Sequence, residues 1–175
     1  MLLRNLINQF LVVDSEVEEV VLPGEQPEGY VIRIAQEKAL SVGAKFVQTN
    51  LEEMVIIAAD TIVVDGDQLL GKPEGADQAK KILEQLRGKT HLVLSGIAIY
   101  QPYIKKMDSE LVTTAVTMRQ YSDQEIQEYI DSGDPFDKAG AYAIQNESFN
   151  PAPDFKGCYA NVMGLPLCNL DRLMA

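Results

Sequence analysis

The 175-residue sequence predicts an α/β domain. Helical and strand-like apolar periods alternate along it, and its longest apolar run is rich in the β-branched residues that suit a buried strand. Hydrophobic residues make up 46 % of the chain, enough to fill a packed core and to exclude wholesale disorder. The length fits a single domain over residues 1–175, at most two lobes sharing one sheet.

Leu2, Leu3, Leu6 and Ile7 fall at helical spacing, so the chain opens in a short helix with no N-cap before it. Phe10 to Val13 read as a short strand. An acidic turn, Asp14 to Glu19, and a Pro23-Gly24 loop follow, and most carboxylates of such a run are expected in solvent. Pro27 suits the first turn of a helix that continues to about Val42. Its apolar stripe is Val31, Ile34, Ala35 and Val42, and Lys38 sits on that same stripe. Such a lysine either snorkels to water along its stem or delivers an ammonium into a cleft beside the sheet.

The stretch from Met54 to Pro73 organises the rest. Met54 to Val64 reads as a buried strand whose one ionisable group is Asp60. Removing a carboxylate from water raises its pKa by up to roughly 3–5 units unless cations or donors compensate. Asp60 therefore calls for a lysine or a metal ion beside it. Gly66 to Lys72 satisfies the G-x-x-x-x-G-K pattern of a phosphate-binding loop, but residue 73 is proline where that loop needs a hydroxyl and an open helix N-terminus. The sequence fits a hairpin turning at Asp65-Gly66-Asp67, with Leu69 and Leu70 in the returning strand. Pro73 biases Lys72 toward an extended backbone that holds it out from the loop, either solvated or turned to a ligand.

Gly75 to Leu86 reads as a helix with Ala79, Ile82, Leu83 and Leu86 inward and Gly88 as its stop. His91 to Tyr100 and Leu111 to Met118 are strand candidates. Ser122 and Glu125 form a capping box that starts a helix over Asp123 to Asp131, ended by Gly133. His91 has no second histidine to pair with and is assigned no role. In Asp137 to Gln145 small residues allow close backbone approach, and Gln145 closes a short apolar strand with an amide able to read a nucleobase edge or to satisfy neighbouring backbone. Gly157 to Val162 and Gly164 to Leu167 read as a strand turning into a terminal helix.

A net charge of −11 argues against nonspecific binding to nucleic acid or an anionic membrane. It leaves room for an anionic small molecule, because screening over about 8 Å makes the lysines of a pocket count for more than the total. Two cysteines and one histidine cannot build a zinc site of the usual kind and point to a reducing, cytoplasmic compartment. No run has the length of a membrane span, and the N-terminus lacks a signal-peptide pattern.

Six segments, in order and spacing, give the chain a family likeness: Glu18-Glu19 with the Pro-Gly loop, Arg33 with Glu37-Lys38-Ala39, Ala59-Asp60-Thr61, Gly71-Lys72-Pro73, Asp137-Lys138-Ala139-Gly140-Ala141-Tyr142 with Ile144-Gln145, and Gly164-Leu165-Pro166-Leu167. Together they resemble the Maf family of nucleoside triphosphate pyrophosphatases. The resemblance implies a mixed β-sheet with flanking helices and two lobes around a nucleotide cleft, where a triphosphate is split into monophosphate and pyrophosphate. It implies Asp60 as the proton acceptor or metal-bound carboxylate, Glu19 sharing the metal, Lys38 and Lys72 on the phosphates, and Thr61 and Gln145 at positions tied to base selection. The Ala-Asp-Thr and Ala-Gly-Ala-Tyr-x-Ile-Gln forms are similar to the branch acting on dTTP and UTP. Carboxylates without histidine or cysteine partners favour Mg²⁺ or Mn²⁺, and members of the family are often homodimers.

The family opens with a strand and an S-x-S-P-R-R loop, and this sequence begins after that point, so the resemblance implies an N-terminally shortened domain. Arg4 lies too far into the first helix to replace the loop's arginine. A second reading follows, a nucleotide-binding or cell-division regulatory protein that keeps the pocket without turnover. Loss of the first strand is also expected to expose a sheet edge and to lower solubility or stability.

Overall fold

Strand β1, Ile56–Asp65, forms from the β-branched run around Asp60 and turns at Gly66, whose φ of 62° favours glycine, into the short strand β2, Gln68–Leu70. The computed structural model describes residues 2–46, 52 and 54–174. Helix α1 covers Pro27–Ala44, α2 Ala76–Leu86 and α3 Asp123–Asp131. The long strands β3, Thr90–Gln101, and β4, Lys106–Thr117, are joined by a four-residue turn. A short β5, Asp154–Lys156, precedes helices α4, Tyr159–Val162, and α5, Leu167–Met174. The strands form one antiparallel sheet in the order β2-β1-β3-β4-β5, with Val63 opposite Leu70 and Val116 opposite Phe155. The α/β class with flanking helices is the one expected.

The chain divides into two compact units. The first comprises Met1–Thr61, Ser95–Val112 and Gly164–Ala175. Its core packs Ala35 and Ala39 of α1 on Ile56 and Ala98, while Ile97, Ile99 and Leu170 form a second cluster. The second comprises Ile62–Leu94 and Thr113–Met163. There Ile82, Leu83 and Leu86 of α2 meet Val63, Val93, Val116 and Ile126. The capping box is present as expected: Ser122 Oγ accepts from Glu125 N, and the Glu125 carboxylate accepts from Ser122 N.

Four local expectations need correction. Phe10 to Val13 is not a strand; Leu11 and Val12 are 84 % and 68 % exposed, and apolar content makes a strand only where a neighbouring ladder takes its hydrogen bonds. The opening helix is a 3₁₀ turn over Leu2–Asn5. Gln145 closes no strand: Ala139–Ala141 is a 3₁₀ turn with Gly140 at φ 72° and Ala141 at φ 57°, left-handed conformations that cannot extend into a ladder. Near the C-terminus the extended pairing lies earlier than expected, at β5, and α4 and α5 fill the rest.

His91 lies buried on β3, its Nε2 2.8 Å from the Tyr142 hydroxyl and its Nδ1 without a hydrogen-bond partner among the described residues. Burial holds the imidazole down to about 4 from an ordinary 6.5. The folded protein thus keeps His91 neutral where the unfolded chain already binds a proton, so stability is lost as pH falls from 6.5 toward 4. The expected loss from this group is about 2 kcal/mol at pH 5 relative to pH 7.5. Urea titrations at the two pH values check it: His91→Phe should lose less stability than the parent.

Candidate functional site

Three of the predicted site residues converge in the first unit. Asp60 is 7 % exposed within β1, and its Oδ1 accepts a 2.8 Å hydrogen bond from Lys38 Nζ. The same ammonium lies 2.5 Å from Glu19 Oε1. Lys38 therefore does not snorkel past the sheet to open water; it links a buried carboxylate to one at the surface. Burial opposes its charge, but hydrogen bonds to Asp60 and Glu19 outweigh burial and raise its pKa.

The sequence dictates this placement through the rotation and depth of α1. Val31, Ile34 and Ala35 are fully buried and fix the face that α1 turns to the sheet. Gly96 fixes the depth, because a Cβ there would lie 2.1 Å from the Val31 carbonyl oxygen. Two helical turns beyond Val31 on that face comes Lys38. Tyr30, also buried, lies near the cluster; burial raises its phenol pKa, and the charges of Asp60 and Glu19 raise it further. A cavity of about 1020 Å³ in this unit has Lys38 on its wall together with apolar residues such as Phe10, Ile56 and Ile99, but neither Asp60 nor Glu19 lines it. The ion cluster, and not that largely apolar hollow, defines the candidate site.

Thr61 follows Asp60 on β1. Its hydroxyl lies 2.6 Å from the fully buried Ser95 Oγ and donates a long 3.4 Å bond to the Gly164 carbonyl. Ser95 was not anticipated as a neighbour of the site, although a hydroxyl amid Val, Leu and Ile in a buried strand was a visible signal. Arg33, one turn before Glu37, stood in the sequence only as part of the family likeness, with no role assigned to it.

In the second unit Lys72 is exposed in the loop before α2, next to a buried Pro73. Gly140 N donates to Gly71 O at 3.1 Å, which brings this loop to the segment leading to Gln145. Gln145 itself is exposed in a turn after buried Ile144. Tyr129 shapes that turn: its hydroxyl accepts from Ala143 N and donates to Asp134, which also accepts from Asn146.

Glu19 and Asp60 are the two carboxylates at the ammonium, and among the described residues no three His, Cys, Asp or Glu side chains gather at one point. Two carboxylates supply oxygen donors of the kind hard divalent cations take, but too few for a cage built wholly from protein. No helix among the described residues is long and apolar enough to cross a membrane.

A buried carboxylate is clasped by a lysine from the neighbouring helix, and a half-exposed carboxylate meets the same ammonium. The chain belongs to the Maf-like protein family, whose model matches residues 1–175. It is 41 % identical over 165 residues to the dTTP/UTP pyrophosphatase of Dehalococcoides mccartyi strain CBDB1, covering 94 % of this chain and 71 % of that protein. Similar likenesses hold to proteins of the same name from Geobacter sp. strain M21, at 40 % over 93 % of this chain and 81 % of the relative, and from Thermoanaerobacter sp. strain X514, at 41 % over 99 % and 88 %.

The Lys38–Asp60 pair has a stability consequence. Lys38→Met leaves the Asp60 carboxylate buried beside a thioether and is expected to cost on the order of 3 kcal/mol. Adding Asp60→Asn should restore much of that loss, because the buried charge is then gone. Chemical denaturation of the parent, both single variants and the double variant checks this expectation.

Proposed function

We propose that this chain is a nucleoside triphosphate pyrophosphatase that hydrolyses dTTP and UTP to the monophosphate and pyrophosphate. The observation that supports it most directly is the convergence of Glu19, Lys38 and Asp60 in a member of the Maf-like family whose curated relatives carry that activity in their names.

The reaction breaks the bond between the α-phosphorus and the bridging oxygen to the β-phosphate. Water attacks the α-phosphorus in line with that bond, and catalysis consists mainly of positioning and charge stabilisation. Asp60, kept ionised by Lys38, accepts a hydrogen bond from the attacking water and takes its proton. Lys38 bears on the phosphate oxygens, and Lys72 does so from its exposed loop. Gln145, with both donor and acceptor atoms on its amide, reads the pyrimidine edge. Glu19 and Asp60 would hold a Mg²⁺ or Mn²⁺ ion. Such an ion supplies charge neutralisation and a more acidic bound water.

Pyrophosphate release from a panel of triphosphates with Mg²⁺ or Mn²⁺ tests the proposal. The parent should favour dTTP and UTP, and Asp60→Asn should lower kcat by about 10²–10⁴-fold, the contribution typical of a positioned base. Parent-level turnover in Asp60→Asn would overturn the mechanism. Saturable nucleotide binding by the parent without any release would overturn the activity.

A further inference from the structure

Glu19 stands on a stretch with no helix or strand: between the opening 3₁₀ turn and α1 the described backbone is irregular. A half-exposed carboxylate on such a stretch has no scaffold of its own, yet it meets Lys38. The scaffold is a polar stripe of α1. Arg33, Glu37, Ser41 and Lys45 recur every four residues, so they share one side of the helix and its last turn.

Each end of the stripe grips the irregular stretch. At the far end Lys45 Nζ donates to the Asp14 carbonyl and to Glu16 Oε1, both at 2.9 Å, and Ser41 Oγ accepts from Glu16 N at 3.2 Å. At the near end Arg33 Nη2 donates to the Val20 carbonyl at 2.9 Å, the residue after Glu19. The same guanidinium takes the Glu25 carboxylate in a fork, Nε to Oε1 at 2.6 Å and Nη2 to Oε2 at 2.7 Å, and its Nη1 bonds both Glu37 oxygens at 3.1 Å. Glu25 in turn accepts from Leu22 N at 3.0 Å. Glu19 thus lies between two anchors, Glu16 and Val20, on a single helix face.

We propose that Arg33 is a positioning residue that holds Glu19 at the reacting centre, with Ser41 and Lys45 as the second anchor; this rests on the reading of Glu19 as a metal-sharing carboxylate. The planar fork of arginine suits the task, since it grips Glu25 through two bonds while it also reaches Glu37 and the Val20 carbonyl, more contacts than the three donors of a lysine can make. Arg33 touches no reacting atom. Its effect passes wholly through the path of the backbone at Val20.

A double-mutant cycle on the full chain tests the proposal, with parent, Arg33→Met, Glu19→Gln and the double variant compared. Two readouts are taken: the Mn²⁺ concentration giving half-maximal dTTP hydrolysis, and Mn²⁺ binding followed by electron paramagnetic resonance with a dTTP analogue that cannot be hydrolysed between the α and β phosphates. Arg33→Met is expected to raise both concentrations about tenfold, as the loss of one charged hydrogen bond would, with kcat at saturating Mn²⁺ within about twofold. In the Glu19→Gln background the same change should shift neither by more than about twofold. Equal shifts in both backgrounds would overturn the proposal, because Arg33 would then act on the fold at large. Parent-like Mn²⁺ dependence in Glu19→Gln would instead overturn the reading of Glu19, and the proposal with it. Arg33→Lys, which keeps the charge and the fold but not the fork, should shift both readouts in the same direction. A parent-like Arg33→Lys would overturn the claim for the fork. Cleavage by a glutamate-specific protease after Glu16 and Glu19 should accelerate in the arginine variants, and unchanged cleavage would contradict an anchored stretch.

Discussion

A carboxylate in the middle of a buried strand is the constraint on which the first unit depends. Asp60 has Ala59 and Ile62 as near neighbours along β1, where a carboxylate calls for a cation, and Lys38 supplies one at hydrogen-bond distance. For that to happen α1 has to lie at one rotation and one depth. The rotation follows from Val31, Ile34 and Ala35, and the depth from Gly96, which has no side chain to hold the helix off. A pairing that costs desolvation on both sides adds little net stability compared with a well-packed apolar pair.

Residues that share one local period were legible in the sequence. Helix α2 announced itself through Ala79, Ile82, Leu83 and Leu86, and α3 through its capping box. The hairpin at Gly66 displaced the false phosphate-loop pattern because Pro73 stands where that loop needs a hydroxyl and Leu69 and Leu70 pair back on β1. Lys38 stood out as a charge on an apolar stripe, and Asp60 as a charge in an apolar run. Each of these signals is local, and local physics suffices to read it.

What the sequence left dark depends on contacts between distant residues. Whether Phe10 to Val13 pairs as a strand is decided by the presence of a partner ladder, about which its own side chains say nothing. The turn at Gly140 and Ala141 is set by contact with Val63, which would lie 2.8 Å from a Cβ at Gly140, and by the Gly140–Gly71 hydrogen bond. The resemblance ties Thr61 to base selection, and its contact with Ser95, 34 positions away on another strand, has no local signal. The polar stripe of α1 carries the ordinary marks of a solvated face, a salt bridge at i,i+4 among them. Only the path of residues 14–25 over it gives those groups a task.

The charge state of the cluster bears on how the proposed reaction would begin. Two carboxylates and one ammonium leave a negative sum at Glu19, Lys38 and Asp60, and the ammonium is already engaged by both acids. A polyphosphate approaching this arrangement meets repulsion and finds two of the three N–H donors of Lys38 already taken. A divalent ion bound by Glu19 and Asp60 would change both conditions, since it reverses the local sign and competes with the lysine for its carboxylate partners. Lys38 could then turn to a phosphate oxygen while Asp60 keeps its charge beside the ion. On the proposed function, then, the ion pair is a resting arrangement that holds the lysine in place and the acid ionised until cation and nucleotide arrive together. The second acid on that ammonium, Glu19, would have to be ready at the same moment, and on the proposed reading the grip of Arg33 on the neighbouring backbone serves that end.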